Sequence, residues 1–214
     1  MYNLDYDIKE VLSNYELLKY NSNSKKFSGE IEVIKGGLFI DIFSIEIIIP
    51  NCFPRCFPKV IEIGNKIPRK VARHVIPKTN HLCLAVEIEE FLLCQGGITM
   101  KWFIDKVLVP RLCEEYRVIN GEKYQKEYSH DFGGTWEYLM KVLNVNEPEI
   151  VMKFIKALAD KKRPTGNSLC LCESNKPFRL CHKSNISTLQ HLGINRLKSL
   201  YKSLIEKPYK GINL

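Results

Sequence analysis

The sequence has no apolar run long enough to cross a bilayer. Its most apolar stretch, Leu38 to Ile49, is interrupted by Asp41, Ser44 and Glu46 and stays far short of the ~20 residues a spanning helix needs. Nothing at the N-terminus forms the apolar centre of a signal peptide, because Asp5, Asp7, Lys9 and Glu10 break it up. Both absences lead us to expect a cytoplasmic protein with no membrane partner. Internal repeats and low-complexity tracts are missing too, so repeat arrays are set aside. With 214 residues, 45% hydrophobic and 26% charged, the chain is neither disordered, nor a peptide hormone, nor a coiled-coil rod, and it has room for one or two domains.

Acidic residues are scarce in one place only. Residues 151–214 hold 13 basic and 3 acidic side chains, whereas residues 1–116 hold 15 of each and residues 117–150 hold 4 basic and 6 acidic. The formal charge of +8 therefore belongs entirely to the C-terminal third. Such a charge points to an anionic partner for that third, not for the whole chain. Two units with different partners are the simplest reading.

Leu4, Ile8, Val11, Leu12, Tyr15 and Leu18 recur at helical spacing, which predicts an amphipathic helix over the first twenty residues, ended by the polar run Asn21 to Lys26. Phe27, Gly29, Ile31 and Val33 alternate with polar residues as a strand does, and Gly36-Gly37 turns into a second strand, Leu38 to Ile49. Pro50, Pro54 and Pro58 mark a loop, and Val60 to Ile63 reads as a short third strand. From Ile67 to Gly97 no periodicity is sustained, and a loop of that length in a compact domain usually has a function. A helix containing Trp102, Phe103, Lys106, Val107 and Val109 follows, kinked or ended by Pro110. Thr135 to Leu143 and Pro148 to Ala159 read as two more helices. Ile194, Leu197, Leu200, Tyr201 and Leu204 form a helical stripe interleaved with Arg196, Lys198 and Lys202.

The eight cysteines divide by spacing. Cys170, Cys172 and Cys181 fall together with His182 within thirteen positions. In a reducing compartment such a cluster reads as metal ligands more readily than as disulfides. Three thiolates and one imidazole are a complete tetrahedral set for structural zinc, with no open position for chemistry. Phe178 can cover one side of the site, and a metal would hold a segment too short to build a core of its own. Pro164 to His182 closely resembles the SEC-C motif, the small zinc module at the C-terminus of SecA translocases and of many unrelated bacterial proteins. The resemblance rests on the ligands Cys170, Cys172, Cys181 and His182 with Ser174, Lys176 and Phe178. The sequence departs from the motif at Leu171, Glu173 and Asn175, where proline and two glycines are usual. The resemblance implies a structural Zn2+ and a role in docking a protein or ribosomal partner.

The segment from His74 to Leu84 puts one cysteine, two histidines, an amide and a hydroxyl within eleven residues. A cysteine nucleophile needs an activated thiol and donors for the oxyanion formed when a thioester is attacked. Thr79, Asn80, His81 and loop amides are candidate donors. A cysteine between two leucines also suits a small buried hydrophobe, so Cys83 has two readings on composition alone. The order helix, antiparallel meander, proline-aromatic loop, long loop with His and Cys-Leu, then helix resembles ubiquitin-conjugating enzymes over roughly residues 4–145. It rests on Phe27-Ser28-Gly29-Glu30-Ile31, on Ile45 to Phe57, and on His74 with Cys83-Leu84. The resemblance implies that Cys83 accepts a ubiquitin-like protein as a thioester from an activating enzyme and passes it to an amine. It also implies that His74, first residue of the family's His-Pro-Asn tripeptide, holds the loop in shape. Val75 and Ile76 replace the Pro and Asn, leaving Asn80 and His81 as candidates for the missing amide.

The remaining cysteines divide similarly. Cys94 is a second reactive thiol, a disulfide partner of Cys83 or, after Phe91-Leu92-Leu93, a packing residue; Cys113 fits a helix core; and Cys52 and Cys56, which frame the loop Phe53-Pro54-Arg55 and lack a nearby pair to complete a metal set, read as structural. Glu87, Glu89 and Glu90 either help deprotonate an incoming lysine or form a solvated rim.

Together these readings predict an α+β protein: a UBC-like antiparallel meander sheet flanked by helices, then helices and a small zinc-binding module. The expected divisions are a ubiquitin-conjugating-like domain at 1–145, a helical linker at 146–163, the SEC-C motif at 164–184 and a basic C-terminal helix at 185–214. The expected activity is thioester transfer of a ubiquitin-like modifier, or another activated acyl group, through Cys83 to a protein target. By analogy with bacterial operons that carry such enzymes, the expected setting is antiphage defence, with a defence nucleotidyltransferase as one candidate target. The alternative is a non-catalytic, RWD-like scaffold of the same fold whose zinc module and basic tail dock a protein or RNA.

Overall fold

A computed structural model of the chain describes residues 2–125 and 128–211. The structure is a mixed α+β fold with a small antiparallel sheet flanked by helices and a C-terminal Cys/His cluster able to bind a metal. The chain forms two compact units: Met1–Ala85 with Leu93–Glu127, and Val86–Leu92 with Tyr128–Leu214. Residues 86–92 and 128–145, expected within the ubiquitin-conjugating-like domain at 1–145, fall in the second unit. Among the described residues no helix is long and apolar enough to cross a membrane.

The first unit opens with α1 (Leu4–Asn14), whose N-terminus is capped by the Asn3 side chain accepting the Tyr6 N–H. The predicted helix over twenty residues ends early. Leu18–Asn21 instead forms β1, pairing antiparallel with β2 (Lys26–Lys35). Leu18 satisfies either period, and pairing with β2 decides for the strand. β2 pairs with β3 (Leu38–Ile48), and β3 with β4 (Lys59–Glu62), giving a meander in the order β1-β2-β3-β4. The β2–β3 hairpin closes through Gly36-Gly37, both at positive φ, which a two-residue turn matched to strand twist requires. Alternation sends Phe27, Ile31, Val33, Phe43, Ile45 and Ile47 into the core.

Gly29 is held at φ +143, and a Cβ there would stand 2.1 Å from the Leu17 carbonyl oxygen. Gly29→Ala is expected to cost roughly 2–4 kcal/mol from backbone strain and overpacking. A lowered urea midpoint with an unchanged m-value would register it.

The segment Ile67–Gly97 is not irregular throughout, because α2 (Glu87–Cys94) lies within it. Eight residues make too few turns to show a helical period. Pro110 neither ends nor breaks the next helix. α3 (Met100–Phe103) runs through a wide turn at Ile104–Leu108, where the Val109 N–H reaches the Ile104 carbonyl, into α4 (Val109–Ile119). The wider turn accommodates the ring and missing N–H of Pro110. Asp7 is 1% exposed and ties α1 to the start of α3, accepting the Met100 N–H at 2.5 Å and the Tyr2 hydroxyl at 2.8 Å.

In the second unit α5 (Gly133–Leu143) and α6 (Pro148–Ala159) lie where the sequence predicts helices. Ile150, Val151, Phe154, Ile155 and Leu158 make one apolar face of α6. The tail forms two helices instead of one, α7 (Lys183–Gln190) and α8 (Ile194–Glu206), joined at Gly193. Residues 212–214 of the expected basic helix lie outside the described residues. Leu197, Leu200 and Leu204 of α8 face inward with α6, and the lysines between them occupy its exposed face.

Candidate metal centre and candidate thiol loop

Cys170, Cys172, Cys181 and His182 are brought together by a short hairpin and the start of α7. Phe178 N–H donates to the Ser168 carbonyl at 2.8 Å and Cys170 N–H to the Lys176 carbonyl at 3.0 Å, which folds 168–178 back on itself. Glu173 and Asn175 hold the tight end of this hairpin in left-handed conformations. The four ligand atoms all lie within 4.8 Å of one another. Cys170 Sγ is 3.3 Å from His182 Nδ1, Cys181 Sγ is 3.1 Å from it, and Cys172 Sγ is 3.5 Å from Cys181 Sγ. Ligand bonds of about 2.0–2.3 Å to a tetrahedral ion place such atoms roughly 3.5–3.8 Å apart. The observed spacings scatter around this range, so the cluster is geometrically consistent with a structural metal site, and its four donors match a tetrahedral set in number and type.

The surroundings suit a bound cation. Cys170 is 5% and His182 8% exposed, the Phe154 ring lies 4.9 Å from the imidazole, and Phe178 is buried in the same cluster. Burial pushes the Cys170 thiol up to about 12. Burial also disfavours the Cys172 thiolate, but hydrogen bonds from Ser174 together with those from Cys181 and Cys170 hold this thiol below its usual range. Burial lowers His182 below its ordinary value, against a hydrogen bond to the Leu143 backbone that raises it. A dication would remove the Cys170 proton outright.

In the first unit Cys83 is an exposed thiol, so of its two composition-level readings the buried small hydrophobe is excluded. It sits in the segment between β4 and α2, where Val75 bridges Leu82 and His81 bridges Ile61. Cys83 and His74, nine residues apart, meet through the backbone: the Cys83 N–H donates to the His74 carbonyl at 2.6 Å. His74 takes a left-handed conformation at φ 50, which turns the chain back toward Cys83. Leu82 beside Cys83 is buried, and alternation along this extended stretch turns the thiol outward. Cys83 Sγ stands 3.9 Å from the Ala85 carbonyl. Asn80 closes the intervening turn at φ 58, its N–H donating to the Ile76 carbonyl at 2.7 Å. Burial, with Lys59 adding to it, holds His81 below its ordinary value.

The other cysteines resolve differently. Cys94 is fully buried in the first unit's core, and Cys113 packs against it half-buried. Cys52 and Cys56 form a disulfide across Phe53-Pro54-Arg55, a pairing their spacing alone had not indicated. Glu87 and Glu89 belong to the second unit. There Glu87 lies 3.6 Å from Arg196, and burial raises Glu89 beside Lys141.

Four residues the sequence did not single out surround His74. Glu115 of α4, with 0% exposure, pairs with both Arg73 and Arg111. The Tyr124 hydroxyl donates to Glu115 at 2.6 Å and accepts from Arg73 Nε at 2.9 Å. Only the Arg111–Glu115 spacing of four was readable beforehand.

Comparison of the chain with protein families, curated proteins and solved structures finds no match.

Proposed function

We propose that the first unit is a ubiquitin-conjugating-like acyl carrier and that the second holds a structural zinc ion and docks the partner. The observation that carries the reading is the exposed Cys83 thiol on a loop whose backbone is fixed to His74. The order of α1, the four-stranded meander, the loop and the following helices supports it.

In this reading the Cys83 thiolate attacks the carbonyl carbon of an activated C-terminal thioester and expels the donor thiolate. A target lysine amine then attacks the new thioester, forms an amide, expels the Cys83 thiolate and gives its proton to solvent. No cofactor is consumed, because the acyl group arrives already activated. The loop amides, with Asn80 and His81, are the available donors for the oxyanion. Zinc is the ion that suits the closed Cys3His set. Docking through the second unit is supported by its charge and by a cavity of about 230 Å³ whose apolar floor of Leu158, Ile194 and Leu197 is bordered by Lys161 and Arg163.

The test is a pair of variants expressed in native cells. Cys83→Ser is expected to trap the acyl group as an oxyester, visible as a hydroxylamine-labile mass increment that Cys83→Ala lacks. Full cellular activity of Cys83→Ala would favour the non-catalytic scaffold.

A further inference from the structure

We infer that Glu115 is a positioning residue for Cys83, acting through Arg73 and His74; its consequence for transfer rests on the acyl-carrier reading above. Arg73 immediately precedes His74, and the groups that hold its side chain converge on one buried carboxylate. Glu115 Oε2 accepts from Arg73, and its Oε1 accepts from Arg111 and from the Tyr124 hydroxyl. The same Arg111 guanidinium donates to the Arg73 backbone carbonyl at 3.1 Å, so α4 grips both the side chain and the main chain of this residue. The Tyr124 ring stands edge-on to the His74 ring with centroids 5.7 Å apart. From His74 one further bond, the 2.6 Å contact from the Cys83 N–H to the His74 carbonyl, reaches the thiol-bearing residue.

The arrangement is selective for a carboxylate. A buried anion shared by two guanidiniums and a phenol has four acceptor sites and uses three of them. Removing its charge leaves two cations crowded in a low-dielectric setting, where their repulsion is strong. Arg111 Nε is itself buried with no hydrogen-bond partner among the described residues, a cost that the guanidinium's bonds to Glu115 and the Arg73 carbonyl offset. The left-handed His74 is closed locally by its N–H donating to the Val71 carbonyl at 2.8 Å, and the Glu115 network adds a tertiary hold on the residue before it. The network fixes the turn at His74, and the turn fixes Cys83.

Amide hydrogen exchange of the full chain tests this directly. In Glu115→Gln the Cys83 amide is expected to exchange at least tenfold faster, while amides of β2 and β3 keep their wild-type protection. Alkylation of Cys83 by iodoacetamide, followed by mass, is expected to change by a similar factor with a shifted pH profile. Tyr124→Phe keeps both ion pairs and removes only the bridging hydroxyl, so it is expected to give the same local change at about threefold. It also covers the case in which Glu115→Gln fails to fold. Unchanged Cys83 exchange in the folded variants, or loosening spread evenly over the sheet, would overturn the positioning role. Acyl transfer is read separately: a wild-type chain that carries no adduct sinks the carrier reading, while the exchange rates still decide the brace.

Discussion

Replacing Cys181 with serine, or stripping metal with a strong chelator, is expected to unfold the C-terminal end of the second unit. Between Pro164 and His182 only Cys170, Phe178 and His182 are buried, far too little apolar surface to order nearly twenty residues against their conformational entropy. A metal held by Cys170, Cys172, Cys181 and His182 would supply what packing does not. Structural zinc contributes about 10–16 kcal/mol in isolated finger peptides, comparable with the ~5–15 kcal/mol stability of an entire domain. The effect spreads because His182 directly precedes α7, whose Ile186 and Leu189 are buried with α6 and α8. About one equivalent of zinc per chain is expected in the native protein and almost none in Cys181→Ser, with the midpoint of the second unit lowered by roughly 10 °C or more. Chelation that leaves both metal content and the C-terminal fold unchanged would refute the site.

Cys83→Ala is expected to abolish acyl transfer while changing stability by no more than about 0.5 kcal/mol, the range for exposed positions away from packing features. The two readouts separate chemistry from fold. Cys83 is the exposed cysteine of the first-unit loop, whereas Cys94 is packed in the core. Alanine at Cys94 is therefore expected to give the opposite pattern, with transfer retained per folded molecule and stability lowered by about 1 kcal/mol or more for the cavity it leaves. Loss of transfer in both variants at equal stability would argue against Cys83 as the acyl acceptor.

How far these sites could be read in advance depended on how local their geometry is. The metal cluster was legible because its ligands are close in the chain and their chemistry is distinctive. The hairpin that joins them even tolerates Glu173 and Asn175 at left-handed positions where glycine would be unstrained. The meander was legible from alternation in Phe27 to Val33 and from Gly36-Gly37. The α1 boundary was not, since Leu18 fits both a helical and a strand period and pairing with Gly29 across the sheet decides between them. The helix α2 was hidden by its length.

The brace around His74 is the clearest case of what a sequence conceals. Arg73, Glu115 and Tyr124 are separated by 42 and 9 positions along the chain, and each alone reads as a solvated charge or a surface ring. Only folding puts α4 beneath the His74 turn and buries the carboxylate. Exposure of Cys83 likewise depended on tertiary placement, because Leu82 and Leu84 on either side suggest a core as readily as a surface.

The most direct test is an intact mass spectrum of the wild-type chain isolated from its native cells at low pH without reductant. We expect a covalent adduct the size of a small protein, mapped to the peptide containing Cys83 and released by added thiol. A chain that stays unmodified at Cys83 under these conditions, while its targets are being modified in the same cells, would contradict the account.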